Sequence, residues 1–391
     1  MVYDQPVYID PTNVLVQARQ EIMARDIERL VKWGIREVET NGQLVGSDSA
    51  AASAPEPTPT AATPPASAGS MSSEERLALQ TDYEAMRKNK YTFRNLVKET
   101  VDGLKLGTQA LLENKPFDNH AILNLAQRWV EEITTRRFSI LTFQSIHFGP
   151  DPVEYHAVHS AAYGALLGMT LGYSRPRLQE LMFSMLLKDT GMSRVPAPIK
   201  EKAGPLTDNE WSAIKTHPVV GYKLLLKNGK VKATLANVAL QHHENFDGTG
   251  YPQNIKGGQI EEVSRIARIA DSYTAMIEKR PYREAHLPYD AMKNMLSVQM
   301  NMFDPKLLRS FLGRLSIYPV GSLVQLSNNQ IGIVISSRPD KPLRPMLRLL
   351  RDENSLPFNG LVFLDLIMET ELYIIKALDA RETGIDLENE I

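Results

Sequence analysis

Five histidines, His156, His159, His217, His242 and His243, fall within less than a quarter of a chain that holds eight in all. Each lies in a helix-like segment: EYHAVHSAAYGALLG, EWSAIKTHPVVGYKLLL or VKATLANVALQHHE. Two carboxylates accompany them, Asp189 at the close of LMFSMLLKDTG and Asp271 within RIARIADSYTAM. Neighbouring residues on a helix point about 100° apart, so His242 and His243 at a helix end suit one metal ion better than one apolar face. Imidazole and carboxylate without sulfur suit borderline or hard ions such as iron, manganese or zinc. A carboxylate at a helix end can bridge two such ions. A bridged pair lowers the pKa of a shared water and clamps both oxygens of an in-line phosphoryl displacement.

Other residues fit the same chemistry. Arg265, Arg268, Arg280 and Arg283 are candidates to hold phosphate oxygens through bidentate contacts. The alternative for Arg265 and Arg283 is a solvated helix face. Between His243 and Asp271 runs HHENFDGTGYPQNIKGGQI, where Gly248, Gly250 and the Tyr251-Pro252 step require a tight, ordered loop. A tyrosine and a glycine-rich backbone beside a metal site are suited to contacting a nucleotide. Cysteine is absent, which excludes disulfides, thiolate zinc sites and cysteine nucleophiles. The net charge of −2 gives no global attraction to nucleic acid or anionic membrane.

The elements that must position these groups are mostly helical. Ile122, Leu125, Ala126, Trp129, Val130 and Ile133 recur at helical spacing, as do Val97, Val101 and Leu104, and both sets read as bundle core. Ser47 to Met71 reads SDSAAASAPEPTPTAATPPASAGSM, with nothing to bury, and is expected to be a disordered linker. It sets apart a small N-terminal α/β module, residues 1–46. There VYIDPTNVLVQ and IREVET are strand-like, Ile27, Leu30 and Val31 share a helix face, and Gly34 occupies a C-cap position. Residues 72–148 read as a helical lead-in and 149–315 as the metal-bearing core. From Ser316 onward, GSLVQLSNNQIGIVISS reads as a hairpin, and MLRLLRD, LVFLDLI and ELYIIKAL as further β segments. Residues 316–391 are therefore expected to form a β subdomain and tail. No signal peptide and no apolar run of about 18 residues is visible, so cytoplasm is the expected compartment.

Taken together, HHENFDGTGYP, ARIADSYTA and EKRPYR, with the spacing of LLKDTGM, THPVVG and QHHE, resemble the HD-GYP family of the HD phosphohydrolase superfamily. The resemblance runs from about Glu154 to Arg283. It implies a helical bundle and a metal-dependent phosphodiesterase that opens cyclic di-GMP to linear pGpG or to GMP. It implies metal ligands at His159, Asp189, His217, His242, His243 and Asp271, with Asp189 as the bridging, catalytic carboxylate. Substrate contacts are implied at Gly250, Tyr251, Pro252 and Arg280.

The sequence also departs from the family pattern. The His-Asp doublet is Lys188-Asp189, Met192 stands where the family usually has lysine, and Tyr155 stands where some members have a carboxylate. In the family, one ion is held by the first histidine, the doublet and the last aspartate. The other is held by Asp189, His217, His242 and His243, a set that is complete here. Lys188 is cationic at its ordinary pKa of about 10.4 and can stand in for an ion by pairing with Asp189 and Asp271; the alternative is that it sheds its proton and ligates an ion. The cofactor expectation is one or two divalent transition ions (iron, manganese or zinc). The alternative function is a catalytically inactive module that binds cyclic di-GMP or docks a protein, with protein partners reached through the N-terminal module. No nucleic-acid polymer and no membrane span are expected.

Overall fold

In the computed structural model, the described residues are 73–135, 153–279, 283–338 and 341–387, with short pieces between residues 2 and 45. Two compact units are present, Met1–Ser67 and Ala68–Ile391. The expected linker, residues 47–71, and Arg280 lie outside the described residues.

In the first unit, β1 (Val2–Tyr3) pairs antiparallel with β4 (Leu44–Val45). The strand-like stretch VYIDPTNVLVQ forms a hairpin of β2 (Val7–Asp10) and β3 (Asn13–Val16), with Asp10 opposite Asn13. Pro11 follows Asp10 and lacks the N–H a ladder needs, so β2 ends there. Of the helix and strand expected after it, only isolated residues are described.

The second unit begins with helices. They are α1 (Ser73–Leu112), α2 (Asn119–Thr135), α3 (Val153–Thr170), α4 (Arg175–Leu187), α5 (Asp208–Ile214) and α6 (His217–Lys227). α7 (Ala233–Gln241), α8 (Glu262–Ile277), α9 (Pro288–Ser297) and α10 (Pro305–Leu315) complete the bundle. Helix α3 is the central one. It is buried almost all round from Tyr155 to Gly168, which fits its run of alanine, glycine and leucine. It packs on α4 and α8, and α1 and α2 cover the bundle with Val97, Val101, Leu104, Ile122, Ala126, Trp129, Val130 and Ile133 in the core. Among the described residues no helix is long and apolar enough to cross a membrane.

After α10 the chain forms a five-stranded antiparallel sheet in the order β8-β7-β6-β5-β9. The strands are β5 (Leu323–Leu326), β6 (Ile331–Ser336), β7 (Met346–Arg351), β8 (Pro357–Asp365) and β9 (Ile374–Leu378). Both faces carry apolar side chains, Leu323, Ile333 and Leu350 on one and Val324, Val334 and Leu347 on the other. Buried Arg344 donates to the carbonyls of Leu366, Thr370 and Leu372 and so closes the β8–β9 connection.

Trp129 also tests the bundle. Its ring is fully buried, and its Nε1–H donates to Thr100 Oγ1 at 2.9 Å across α1 and α2. Thr100→Val keeps the shape and removes this acceptor, so the hydrogen bond that joins the two helices is lost. The expected loss is about 1–3 kcal/mol, read from the urea midpoint.

Candidate metal centre

The centre assembles from four helix ends and one helix middle. Lys188 caps α4, and Asp189 follows it at the head of a tight 3-10 turn, Thr190–Arg194. Gly191 in that turn packs so closely on α6 that an added Cβ would lie 2.0 Å from the His217 carbonyl. Only glycine lets the first residue of α6 approach Asp189. His242 caps α7, His243 follows it, and Asp271 projects from the middle of α8.

The loop after His243 is tied back on itself. Tyr251 N–H donates to the His243 carbonyl at 3.2 Å, and Gln253 N–H donates to buried Glu244 at 2.6 Å. A Cβ on Gly250 would meet Asn245 N at 2.2 Å and the His243 carbonyl at 2.5 Å, so the requirement for glycine here is space. Tyr251 stacks on His243 with ring centroids 4.8 Å apart. The Lys215 ammonium lies 5.6 Å from the rings of both Tyr251 and half-exposed Trp211.

Ligand atoms of Asp189, His217, His242 and His243 lie within 4.8 Å of one another. His217 Nδ1 lies 2.7 Å from the Ile214 carbonyl, and His242 Nδ1 lies 3.1 and 3.0 Å from the Val238 and Ala239 carbonyls. These acceptors assign the proton to Nδ1 in both rings and leave a lone pair on each Nε2. The two Nε2 atoms are 3.2 Å apart, with Asp189 Oδ1 3.6 and 3.4 Å away. Two lone pairs and a carboxylate oxygen so disposed repel one another unless a cation lies among them. This donor set fits a divalent ion.

The other half of the centre does not. Lys188 is completely buried, and its Nζ donates to Asp189 Oδ2 and, at 2.7 Å, to Asp271 Oδ1. Burial lowers its pKa, but the two carboxylates outweigh that and raise it above the ordinary value. Burial likewise opposes ionisation of Asp189 and Asp271, yet the ammonium holds both well below the usual carboxylate range. Where a first ion would touch both carboxylates, the chain places its own cation.

His156, His159, Asp189, His217, His242, His243 and Asp271 are all brought to this region, but not as the resemblance implies. His156, rather than His159, reaches Asp271, with Nε2 2.9 Å from Oδ1. His159 Nδ1 lies 2.9 Å from Glu278 Oε1, and Glu278 Oε2 lies 2.8 Å from His156 Nδ1. Three residues apart on α3, the two histidines sit on neighbouring stripes one turn apart, and only the packing against α8 selects between them. Glu278, just past the end of α8, was not singled out by sequence. Its signal is a carboxylate placed seven residues, two helical turns, after Asp271.

The arginines divide. Arg265 pairs with Asp304, the N-cap of α10, and Arg283 donates to the Ala275 and Met276 carbonyls. Both hold helix ends and are not on a solvated face. Arg268 donates to Asn245 Oδ1 at 2.8 Å and braces the glycine loop.

Residues 121–307 match the family model of the HD domain, and residues 323–385 that of a KOW domain associated with the HD domain. A cyclic di-GMP phosphodiesterase of Pseudomonas aeruginosa is 36% identical over 199 residues, covering 50% of this chain and 48% of that protein. Another, from Borreliella burgdorferi, is 27% identical over 234 residues, 59% of each chain. The chain thus spans about half the length of the curated relatives it matches. A solved HDG"Y"P protein from Bdellovibrio bacteriovorus superposes with a TM-score of 0.50 at 13% identity, over 80% of this chain and 94% of that one, and shows the fold. The HD-GYP resemblance of the HD domain holds.

Two predictions test the electrostatics in metal-free protein. Lys188→Met leaves Asp189 and Asp271 without their buried counter-charge. It should cost about 3–5 kcal/mol in urea unfolding, and an unchanged midpoint would show that the ammonium is not what compensates them. The second concerns His217. Burial first, and then His242, push its pKa down from 6.5 to about 4. A folded-state pKa below the unfolded one means that the unfolded chain binds the proton first. Stability is therefore full above about pH 6.5 and falls as pH drops toward about 4. His217→Gln should flatten that slope in pH-dependent unfolding curves.

Proposed function

We propose that this chain is an HD-GYP-type phosphodiesterase that hydrolyses cyclic di-GMP, to linear pGpG or GMP, with one divalent transition ion (iron, manganese or zinc). The observation that carries this is the pairing of a complete donor set with a neighbouring position filled by the Lys188 ammonium. The names of the relatives supply the substrate class. Asp189, His217, His242 and His243 would hold the ion. Such an ion, when bound, polarises a phosphoryl oxygen and lowers the pKa of its water.

The chain's own residues do the rest. Tyr251, stacked on His243 at the loop, offers a ring face to a guanine base, with Gly250 and Pro252 shaping the approach. Lys215 beside that ring and Arg280 supply cations for phosphate oxygens. Lys188 keeps positive charge next to Asp189 where a second ion would otherwise provide it. Met192, in the turn after Asp189, supplies none.

One observation favours a second reading. The cation in place of an ion leaves fewer groups to activate water, as in a protein that binds cyclic di-GMP without cleaving it. Elemental analysis of purified protein, run beside a cleavage assay resolved by chromatography, separates the two. The expected result is about one ion per chain and measurable turnover, both lost in His242→Ala and His243→Ala. Two ions at full occupancy would overturn the single-ion reading. Binding of cyclic di-GMP without any product would establish the second one.

A further inference from the structure

His156 has no assigned role in the family pattern, yet it occupies a defined place in this centre. Its ligand atom, with those of Asp189 and Asp271, forms a second group in which all atoms lie within 4.8 Å of one another. His159 is in neither of the two groups found among the described residues. The two ring nitrogens of His156 have separate partners, Nδ1 on Glu278 Oε2 at 2.8 Å and Nε2 on Asp271 Oδ1 at 2.9 Å. Both partners are carboxylates, so His156 donates from both nitrogens here; were an ion to replace the ammonium beside Asp271, Nδ1 would stay on Glu278 and Nε2 would turn to the ion, the usual arrangement of a metal-ligating histidine and its outer partner. Lys188 Nζ reaches the same Asp271 Oδ1 at 2.7 Å and also bonds Asp189, so the ammonium lies at the node on which these groups converge.

We infer that the first ion position of this chain is built on His156, oriented by Glu278, and not on His159, and that Lys188 occupies it. His156 is the histidine ligand of that position, latent while the ammonium is there. Glu278 is a positioning residue that acts through it. His159, whose Nδ1 is on the other oxygen of Glu278, steadies that carboxylate from the far side. This rests on the single-ion reading above, because the wild-type position must be closed for its ligand to be latent.

Metal content decides the matter, measured by elemental analysis and by calorimetric titration with manganese(II) of chelator-treated protein. Wild type should hold about one ion, and Lys188→His, which removes the ammonium and adds an imidazole, about two. Adding His156→Ala to that variant should return it to about one ion, whereas adding His159→Ala should leave it at about two. Glu278→Gln in the same background should weaken the second ion about 10–100-fold. His156→Gln, which keeps more volume, replaces His156→Ala if the latter does not fold. The inference is overturned if His159→Ala, and not His156→Ala, removes the second ion. It is equally overturned if folded Lys188→His still takes one. A wild type with no ion or with two would instead overturn the single-ion reading, so the two failures are distinguishable.

Discussion

A completely buried ammonium, that of Lys188, sits between Asp189 and Asp271, and the rest of the centre is arranged around it. Three carboxylates, Asp189, Asp271 and Glu278, are buried at the junction of α3, α4 and α8. Buried charges persist only when paired and hydrogen-bonded, because the interior cannot replace their hydration. Lys188 meets two of them from the end of α4, and His156 joins the second to the third from α3. The resulting chain of contacts runs from Asp189 through Lys188, Asp271 and His156 to Glu278 and His159. It ties three helices of the bundle together by polar contacts in a region otherwise closed by alanine, leucine and methionine.

The other half of the centre obeys the opposite rule. There the polar atoms are not satisfied by one another. Backbone carbonyls take the Nδ1 protons of His217 and His242, which leaves two Nε2 lone pairs facing across 3.2 Å beside a carboxylate oxygen. One wall of the site is thus internally neutralised, and the other has the donor chemistry of a cation site. Asp189 belongs to both walls, with Oδ2 on the lysine and Oδ1 toward the histidines.

Close backbone packing sets these distances. Gly191 lets α6 press His217 toward Asp189, and Gly250 lets the loop after His243 fold back so that Tyr251 covers that ring. Glu244 and Arg268 then hold the loop from inside, one accepting backbone N–H groups and the other bonding Asn245. The C-terminal sheet stands apart from this chemistry. Its apolar residues fill both of its own faces, and its Arg344 is spent on closing a loop.

Much of this was legible in the residues alone. The periodicity around Trp129, the strands of the C-terminal sheet and the absence of sulfur ligands followed from residue type and spacing, and the set of Asp189, His217, His242 and His243 from the resemblance to the HD-GYP family. For Lys188 the sequence left two courses open, pairing with Asp189 and Asp271 or loss of its proton to ligate an ion, and the fold decides for pairing. The choice between His156 and His159 did not follow. Both lie on the same helix three residues apart, and local pattern cannot say which stripe α8 will cover. Nor did Glu278, or the capping roles of Arg265 and Arg283, because a charged residue near a helix end looks the same whether it faces solvent or core. Residue chemistry determined which groups this protein has for holding an ion. The crossing of α3 over α8 decided which of them meet, because contacts between distant segments depend on how helices pack and not on any sequence interval.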